Sequence, residues 1–311
     1  MKILITGALG HIGSKLIREY AKRNDVELIR ILDNISTQRY CSLYNLPTNV
    51  KFEFIEGEVN DDKILSVAMR EIDVVIHLAA ITDAPTTIAR REDTFRINLE
   101  GTKKVLNAAK KAGAKKFLFP STTSVYGEAE GLVSENSPEE IYKPASPYAE
   151  AKLLAEKEVI NAAKDGLNTA VLRMGTIFGT SIGMRFHTAV NKFCWLAAMN
   201  KPLTVWDSAI NSKRPYLDLD DCVRAFRFLE EKGGAGELYC VLTKNYSMGD
   251  ILDAVRDAQP NIKIDITKSP LLNQKPYEVS NEKIIKLGFE FKGNLKQVVK
   301  DTIKLFEAIK N

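Results

Sequence analysis

Tyr148 and Lys152 stand four residues apart in the segment Tyr-Ala-Glu-Ala-Lys. That spacing puts phenol and ammonium on one face of a helix. A free phenol, with a pKa of about 10, is a poor base at neutral pH. A neighbouring cation stabilises the phenolate and makes it a base for a hydroxyl proton. A second group is the run Ser121-Thr-Thr-Ser124, four hydroxyls followed by Tyr126-Gly127. At the end of a strand, one of them can hydrogen-bond a substrate oxygen and align it with the base. Taken separately, each group also suits a solvated surface.

The pair needs a partner that accepts hydride, and the first thirteen residues supply a place for one. Ile3-Leu-Ile5 reads as a buried strand, Gly7, Gly10 and Gly13 follow at three-residue spacing, and Ser14 to Lys22 reads as a helix with Leu16, Ile17, Tyr20 and Ala21 on its apolar side. Glycines turn the chain tightly and admit a pyrophosphate, and the helix N-terminus offers unpaired N–H groups and a positive dipole. Asp33 closes the next strand, Val26 to Leu32, twenty positions after Gly13. Its carboxylate can accept the adenosine ribose hydroxyls and would repel a 2′-phosphate, which favours NAD over NADP. The positive nicotinamide ring of such a cofactor would further stabilise a Tyr148 phenolate, and Lys152 can hydrogen-bond its ribose. The stretch Asn34 to Cys41 suits the adenosine end, and Glu58-Val59 follow a third strand, Lys51 to Ile55, near the expected adenine position.

These groups are positioned by an alternation of strand and helix that predicts a Rossmann-type, doubly wound parallel sheet. Lys63 to Arg70 is a short helix. Asp73 to Ala80 is a fourth strand with a small-residue end that lets a ligand approach, and His77 within it reads as a buried structural histidine. Thr94 to Ala112 is a long helix carrying Asn98, and Lys116 to Phe119 is a fifth strand. Gly131 to Pro147 is loop-like. Tyr148 to Ala163 is helical and Thr169 to Arg173 is a sixth strand. From Met174 the pattern changes. Helices are expected at Thr188 to Met199, in the second part of Pro215 to Glu230, at Ser247 to Ala258 and at Asn294 to Ile309, with strands at Glu237 to Leu242 and Ile262 to Ile266. The expected division is an NAD-binding domain over 1–174, with 217–245 returning to it, and a smaller α/β substrate-binding lobe from 175–216 and 246–311.

The chain's 311 residues suffice for such an arrangement, and a net charge of +4 with Lys and Glu dispersed argues against a nucleic-acid or membrane surface. Cys41, Cys194, Cys222 and Cys240 are far apart, form no metal-ligand pairs and fit a reducing cytoplasm. No metal is expected. No apolar run is long enough to span a bilayer, and with a strand expected from residue 2 no signal peptide is expected.

Together, Thr6 to Gly13, Asp33-Asn34, His77-Leu-Ala-Ala80, Asn98 to Thr102, Ser121 to Gly127, Pro147 to Lys152 and Leu172-Arg173 resemble the extended short-chain dehydrogenase/reductase family, specifically its nucleotide-sugar epimerases, dehydratases and dehydrogenases. The resemblance runs over nearly the whole chain. It implies that Tyr148 is the base, Lys152 binds and tunes the cofactor, and Thr122 is the hydroxyl partner. It places Gly7, Gly10, His11, Ile12, Gly13, Asp33, Asn34, Glu58, Val59, Leu78, Ala79, Ala80, Asn98, Ser121, Tyr148 and Lys152 around NAD. It places Thr82, Thr122, Thr123, Thr176, Arg185, Asn191 and Arg214 around a nucleotide-diphosphate sugar. Thr176 stands where the family usually carries Asn. Arg214, in Lys213-Arg-Pro-Tyr216, matches the arginine that clamps the diphosphate, a task suited to a guanidinium.

The resemblance also bears on the reaction. The family's 4,6-dehydratases carry an Asp-Glu pair where this chain has Thr123 and Ser124, and elimination needs an acid and a base there. The expectation is therefore transient oxidation at sugar C4, as in a UDP-glucose 4-epimerase. A net 4-dehydrogenase or keto-sugar reductase would use the same residues. A non-catalytic dinucleotide sensor is the alternative of another class, though such proteins usually lack the Tyr/Lys pair. The family further implies a homodimer packed through the helices Thr94–Ala112 and Tyr148–Ala163.

Overall fold

The computed structural model describes residues 1–127, 129–268 and 277–309. Its central sheet contains β1 (Lys2–Thr6), β2 (Leu28–Asp33), β3 (Lys51–Glu56), β4 (Val74–His77), β5 (Lys116–Thr122), β6 (Thr169–Met174) and β7 (Glu237–Val241). All seven run parallel, in the spatial order β7-β6-β5-β4-β1-β2-β3. β4, β5 and β6 are buried throughout, which is why their middle residues, Val74-Val-Ile76, Phe117-Leu-Phe119 and Ala170-Val-Leu172, read as continuous apolar runs rather than alternating ones. The strand order reverses between β1 and β4, so a crevice opens at their carboxyl ends, where ligands of such sheets bind.

Helices cover both faces. On one, Leu16, Ile17 and Tyr20 of helix His11–Tyr20 pack with Phe226 and Leu229 of helix Leu219–Lys232. On the other, Val105, Leu106 and Ala109 of helix Gly101–Ala112 join Ala155 and Val159 of helix Pro147–Lys164. This is the expected doubly wound architecture. Beyond β6, Thr176–Phe178, Lys213–Asp218 and Lys244–Ser247 form a three-stranded sheet, and Leu203–Trp206 pairs with Ile264–Thr267. These pieces share a second core with helices Ala189–Ala198, Met248–Ala258 and Leu295–Lys304, built from Phe178, Phe193, Tyr216, Ile251, Val255 and Val299.

Some expected elements have different bounds. The strand expected over Asp73 to Ala80 ends at His77, because β1, its neighbour, turns away at Gly7; the bond from Leu78 N–H to Thr6 O, at 3.0 Å, is the last rung. The helix expected over Thr94 to Ala112 is helix Arg91–Phe95 and helix Gly101–Ala112 joined through a π-helical turn, Arg96–Glu100. Such wider turns cluster at functional sites, and this one carries Asn98. The loop-like stretch Gly131 to Pro147 contains the strand Gly131–Val133, paired with Tyr277–Val279. That pairing joins segments far apart in sequence, so no local pattern announces it. The last helix, Leu295–Lys304, stops before Ile309.

Candidate active site

The glycine loop forms a cradle at the carboxyl end of β1. Gly7 turns the chain with φ of 65°, and a Cβ there would lie 2.6 Å from the Ala79 backbone nitrogen. A Cβ on Gly13 would lie 2.5 Å from the Ala8 carbonyl oxygen. Both positions therefore require glycine on space alone, Gly7 also on conformation. Gly10 caps helix His11–Tyr20 without a side-chain cap, so the first N–H groups, those of His11, Ile12 and Gly13, face outward without helical partners. At the rim, Asp33 accepts the Leu9 N–H at 3.0 Å and the Ile35 N–H at 2.9 Å. Asn34 donates to Glu58 at 3.0 Å, while Val59 is buried beside Leu4 and Leu32.

Leu78, Ala79 and Ala80 leave β4 through a hydrogen-bonded chain. Thr102 Oγ1 donates to Asn98 O at 2.7 Å and so must accept from His77 Nε2 at 3.1 Å. His77 Nδ1 is then an acceptor, 2.7 Å from Thr6 Oγ1. Burial lowers the His77 pKa to about 3 and keeps the ring neutral. Asn98 spends both ends of its amide on Ile81, accepting its N–H at 2.8 Å and donating to its carbonyl at 2.9 Å. His77 and Asn98 thus hold the backbone that lines the cradle.

Thr122 and Tyr148 meet beside this cradle. Thr122 ends β5, is 7% exposed and accepts the Ser124 N–H at 3.1 Å. Ser146 caps and Pro147 opens the helix bearing Tyr148. Burial raises the Tyr148 pKa, while the Arg185 cation and a hydrogen bond with Thr122 pull it down. Lys152 Nζ donates to Pro120 O at 2.8 Å and lies 4.3 Å from the Phe119 ring centroid. Burial lowers its pKa to about 7, opposed by Glu156. Ser121 donates to Glu156, and Thr123 Oγ1 donates to Met174 O at 3.3 Å.

The substrate-side residues come partly together. Arg185 donates to Thr82 Oγ1 at 2.5 Å and its buried Nε has no hydrogen-bond partner. Asn191, buried, accepts the Gly179 N–H at 3.1 Å and donates to Arg185 O at 3.1 Å, which anchors the arginine's backbone. Arg214 stacks 4.8 Å over the Tyr277 ring centroid, and the Tyr277 hydroxyl donates to Thr123 O at 3.0 Å. Thr176 is exposed on the small sheet opposite Tyr216.

Sequence reasoning missed a strap across the cradle. Gly183 N–H donates to Ser14 Oγ at 3.0 Å, Ser181 Oγ lies 2.9 Å from His11 Nδ1, and Cys41 Sγ lies 3.6 Å from Ile182 O. A Cβ on Gly183 would lie 2.5 Å from Leu9 O and 2.7 Å from Gly10 O. Arg39 was also missed as an individual residue. It sits beside Gly10, and Asp33 offsets part of the burial that lowers its pKa. Its one available signal was a cation six positions after Asp33. Burial, with Arg185, Arg39, Lys15 and His187 around it, lowers the His11 pKa to about 3, and His11 Nε2 is buried without a partner. Backbone donors, cations and an orphaned buried nitrogen make an anion-receptive cradle that fits a dinucleotide such as NAD. Among the described residues, no cluster of His, Cys, Asp and Glu could hold a metal, and no helix is long and apolar enough to cross a membrane.

Known proteins share this architecture. The sequence is 29% identical over 97% of its length to a trifunctional UDP-glucose 4,6-dehydratase/UDP-4-keto-6-deoxy-D-glucose 3,5-epimerase/UDP-4-keto-L-rhamnose-reductase of Arabidopsis thaliana, of which it spans 46%. It is 32% identical, over 72% of its length and 71% of the other's, to an uncharacterized UDP-glucose epimerase of Bacillus subtilis. The crystal structure of UDP-glucuronic acid 4-epimerase from Bacillus cereus, in complex with UDP-glucuronic acid and NAD, superposes with a TM-score of 0.86 at 29% identity, covering 98% of this chain and 99% of that one. Residues 3–241 match the profile of one family. The chain belongs to the NAD dependent epimerase/dehydratase family.

Proposed function

We propose that this enzyme is an NAD-dependent epimerase of a nucleotide-diphosphate sugar, acting by transient oxidation at the sugar C4. The observation that carries the reading is the seating of the Tyr148 helix on the end of β5, where Lys152 Nζ donates to Pro120 O at 2.8 Å and Thr122 lies beside the Tyr148 phenol near the glycine cradle. The cradle, with Gly7, Gly10, His11, Ile12, Gly13 and Asp33, holds NAD, which supplies the hydride acceptor and later the donor. Thr122 aligns the C4 oxygen, and Tyr148 takes its proton and later returns it. Burial alone makes Tyr148 a weaker acid, so the phenolate depends on cations. Arg185 supplies one, and Lys152, with two protons beyond the one given to Pro120 O, supplies another and binds the cofactor ribose.

Elimination is disfavoured by what surrounds the base. Thr123 points its hydroxyl at Met174 O, and neither it nor Ser124 supplies a carboxylate. A dehydratase would need an acid and a base at this place. Thr82, Thr122 and Thr123 of the NAD-binding domain, with Thr176, Arg185, Asn191 and Arg214 of a substrate-binding lobe formed by 175–216 and 246–311, make the sugar-nucleotide side. Two copies pair through the helices Thr94–Ala112 and Tyr148–Ala163, which would cover the exposed Leu154.

The test has two parts. A thermal-shift screen of UDP, GDP, CDP and dTDP identifies the nucleotide; stabilisation by none of them contradicts a nucleotide-sugar substrate. Tyr148→Phe should then lower turnover of the matching sugar nucleotide by about 10²–10⁴-fold while NAD stays bound. Retained turnover would exclude Tyr148 as the base.

A further inference from the structure

Tyr148 and Thr122 belong to different elements, and a base is useful only if the two stay in register. Lys152 does part of this, because its Nζ holds Pro120 O at 2.8 Å. One helical turn later, Glu156 holds the next strand residue, accepting from Ser121 Oγ. Successive turns of the helix therefore grip successive residues of β5, immediately before Thr122.

Glu156 is itself gripped by Arg173 of β6. Arg173 Nη2 lies 2.6 Å from Oε2, and Nε lies 2.9 Å from Oε1 and 3.1 Å from Oε2. Arg173 also sits opposite Ser121 in the parallel ladder. Its remaining nitrogen, Nη1, donates to the Tyr126 and Tyr142 hydroxyls, each at 3.0 Å. One ion pair thus touches β5, β6, the turn that follows Thr122, the loop before Tyr148 and the helix that carries Tyr148. Both side chains are nearly fully buried, 3% and 2% exposed.

Stability alone does not account for such a pair. Two charges taken from water regain little more than their desolvation cost, and apolar replacements of the same volume often do as well. What an ion pair with this many directed bonds supplies is a fixed geometry.

We propose that the Glu156–Arg173 ion pair is the positioning unit that holds the Tyr148 phenol in register with Thr122 and Lys152 beneath it. The proposal rests on Tyr148 being the base. Glu156 and Arg173 touch neither substrate nor cofactor in this account; they act through Ser121, Lys152 and the helix.

The groups facing this unit set the expected sign. Arg185, with Asp83 and His187 near it, faces Tyr148 from the strap side. His77 faces Lys152 from β4 and stays neutral. Removing the Glu156 charge takes away the group that opposes deprotonation of Lys152. Loosening Thr122 takes away a hydrogen bond that favours the phenolate. Glu156→Gln also unpairs the buried Arg173 cation, which by itself favours the phenolate; loss of register is the larger effect, so Tyr148 becomes a weaker acid and its titration moves to higher pH.

The test needs no substrate. In the NAD-saturated protein, tyrosinate formation is followed by ultraviolet difference absorbance against pH, with Tyr148→Phe as the blank. Glu156→Gln should raise the Tyr148 midpoint by about one pH unit, a tenfold change in acidity. Glu156→Asp, which keeps the charge, should restore at least half of that displacement. If Glu156→Gln does not fold, Ser121→Ala, which leaves the ion pair intact, should move the midpoint in the same direction by less. A folded Glu156→Gln or Ser121→Ala protein with the wild-type midpoint would overturn the proposal. Failure of the underlying reading looks different: Tyr148→Phe would then turn over the sugar nucleotide as fast as wild type.

Discussion

A neutral histidine at the centre of the sheet illustrates what single residues do here. His77 is fully buried between the Thr6 and Thr102 hydroxyls, and its pKa falls from 6.5 to about 3. Between those values the unfolded chain binds a proton that the native protein does not. Its contribution is therefore present at pH 7 and is lost as the pH falls from 6.5 toward 3. The ceiling on this linkage is about 4–5 kcal/mol. Denaturant unfolding of wild type and His77→Asn at several pH values between neutral and acid should show the wild type losing stability faster, by up to about 1.4 kcal/mol per pH unit. Parallel curves would mean that the ring is not buried neutral. Tyr148, Lys152 and the glycines were legible in the sequence because their chemistry depends on short spacing. Glu156 was not. It lies four positions beyond Lys152 on the same helix, but its partners Ser121 and Arg173 are supplied by two different strands.

Among elements, the strands and helices of the parallel sheet were legible because each writes its own apolar period into a short window. Their ends were less so. β4 stops at His77 because its neighbour β1 stops, and Gly131–Val133 becomes a strand only because Tyr277–Val279 lies beside it. The strap from Ser181 to Arg185 has no periodic signature, yet it crosses the cradle and carries Arg185 toward Tyr148. Gly183 is its tight point: a Cβ would meet Leu9 O at 2.5 Å and Ser14 Oγ at 2.9 Å. These are largely backbone neighbours of the cradle, so the strap or the cradle must shift. Gly183→Ala should weaken NAD binding about tenfold, equivalent to about 1.4 kcal/mol, as read by calorimetry and by nucleotide retained through gel filtration. Unchanged retention in a folded variant would show that the strap does not bear on the cofactor.

For the molecule as a whole, the order of strands around β1 and β4 places a cofactor cradle, a hydroxyl, a phenol and two cations at one edge of the sheet. Family membership and fold followed from motifs spread through the chain. The second half was less legible, since Asn191 and Arg214 are engaged by backbone and aromatic partners from distant segments. The proposed pairing of two copies predicts a sedimentation mass twice the 34.7 kDa of one chain; a monomer at working concentration would contradict it. The central claim is that hydride is lent and recovered within one site. Its most direct test is the absorbance of reduced nicotinamide while the purified enzyme, loaded with NAD, turns over the sugar nucleotide selected by the thermal-shift screen. The account predicts that the C4 epimer forms with no reduced cofactor accumulating beyond the enzyme concentration. Stoichiometric release of NADH with a keto sugar, and no epimer, would contradict it.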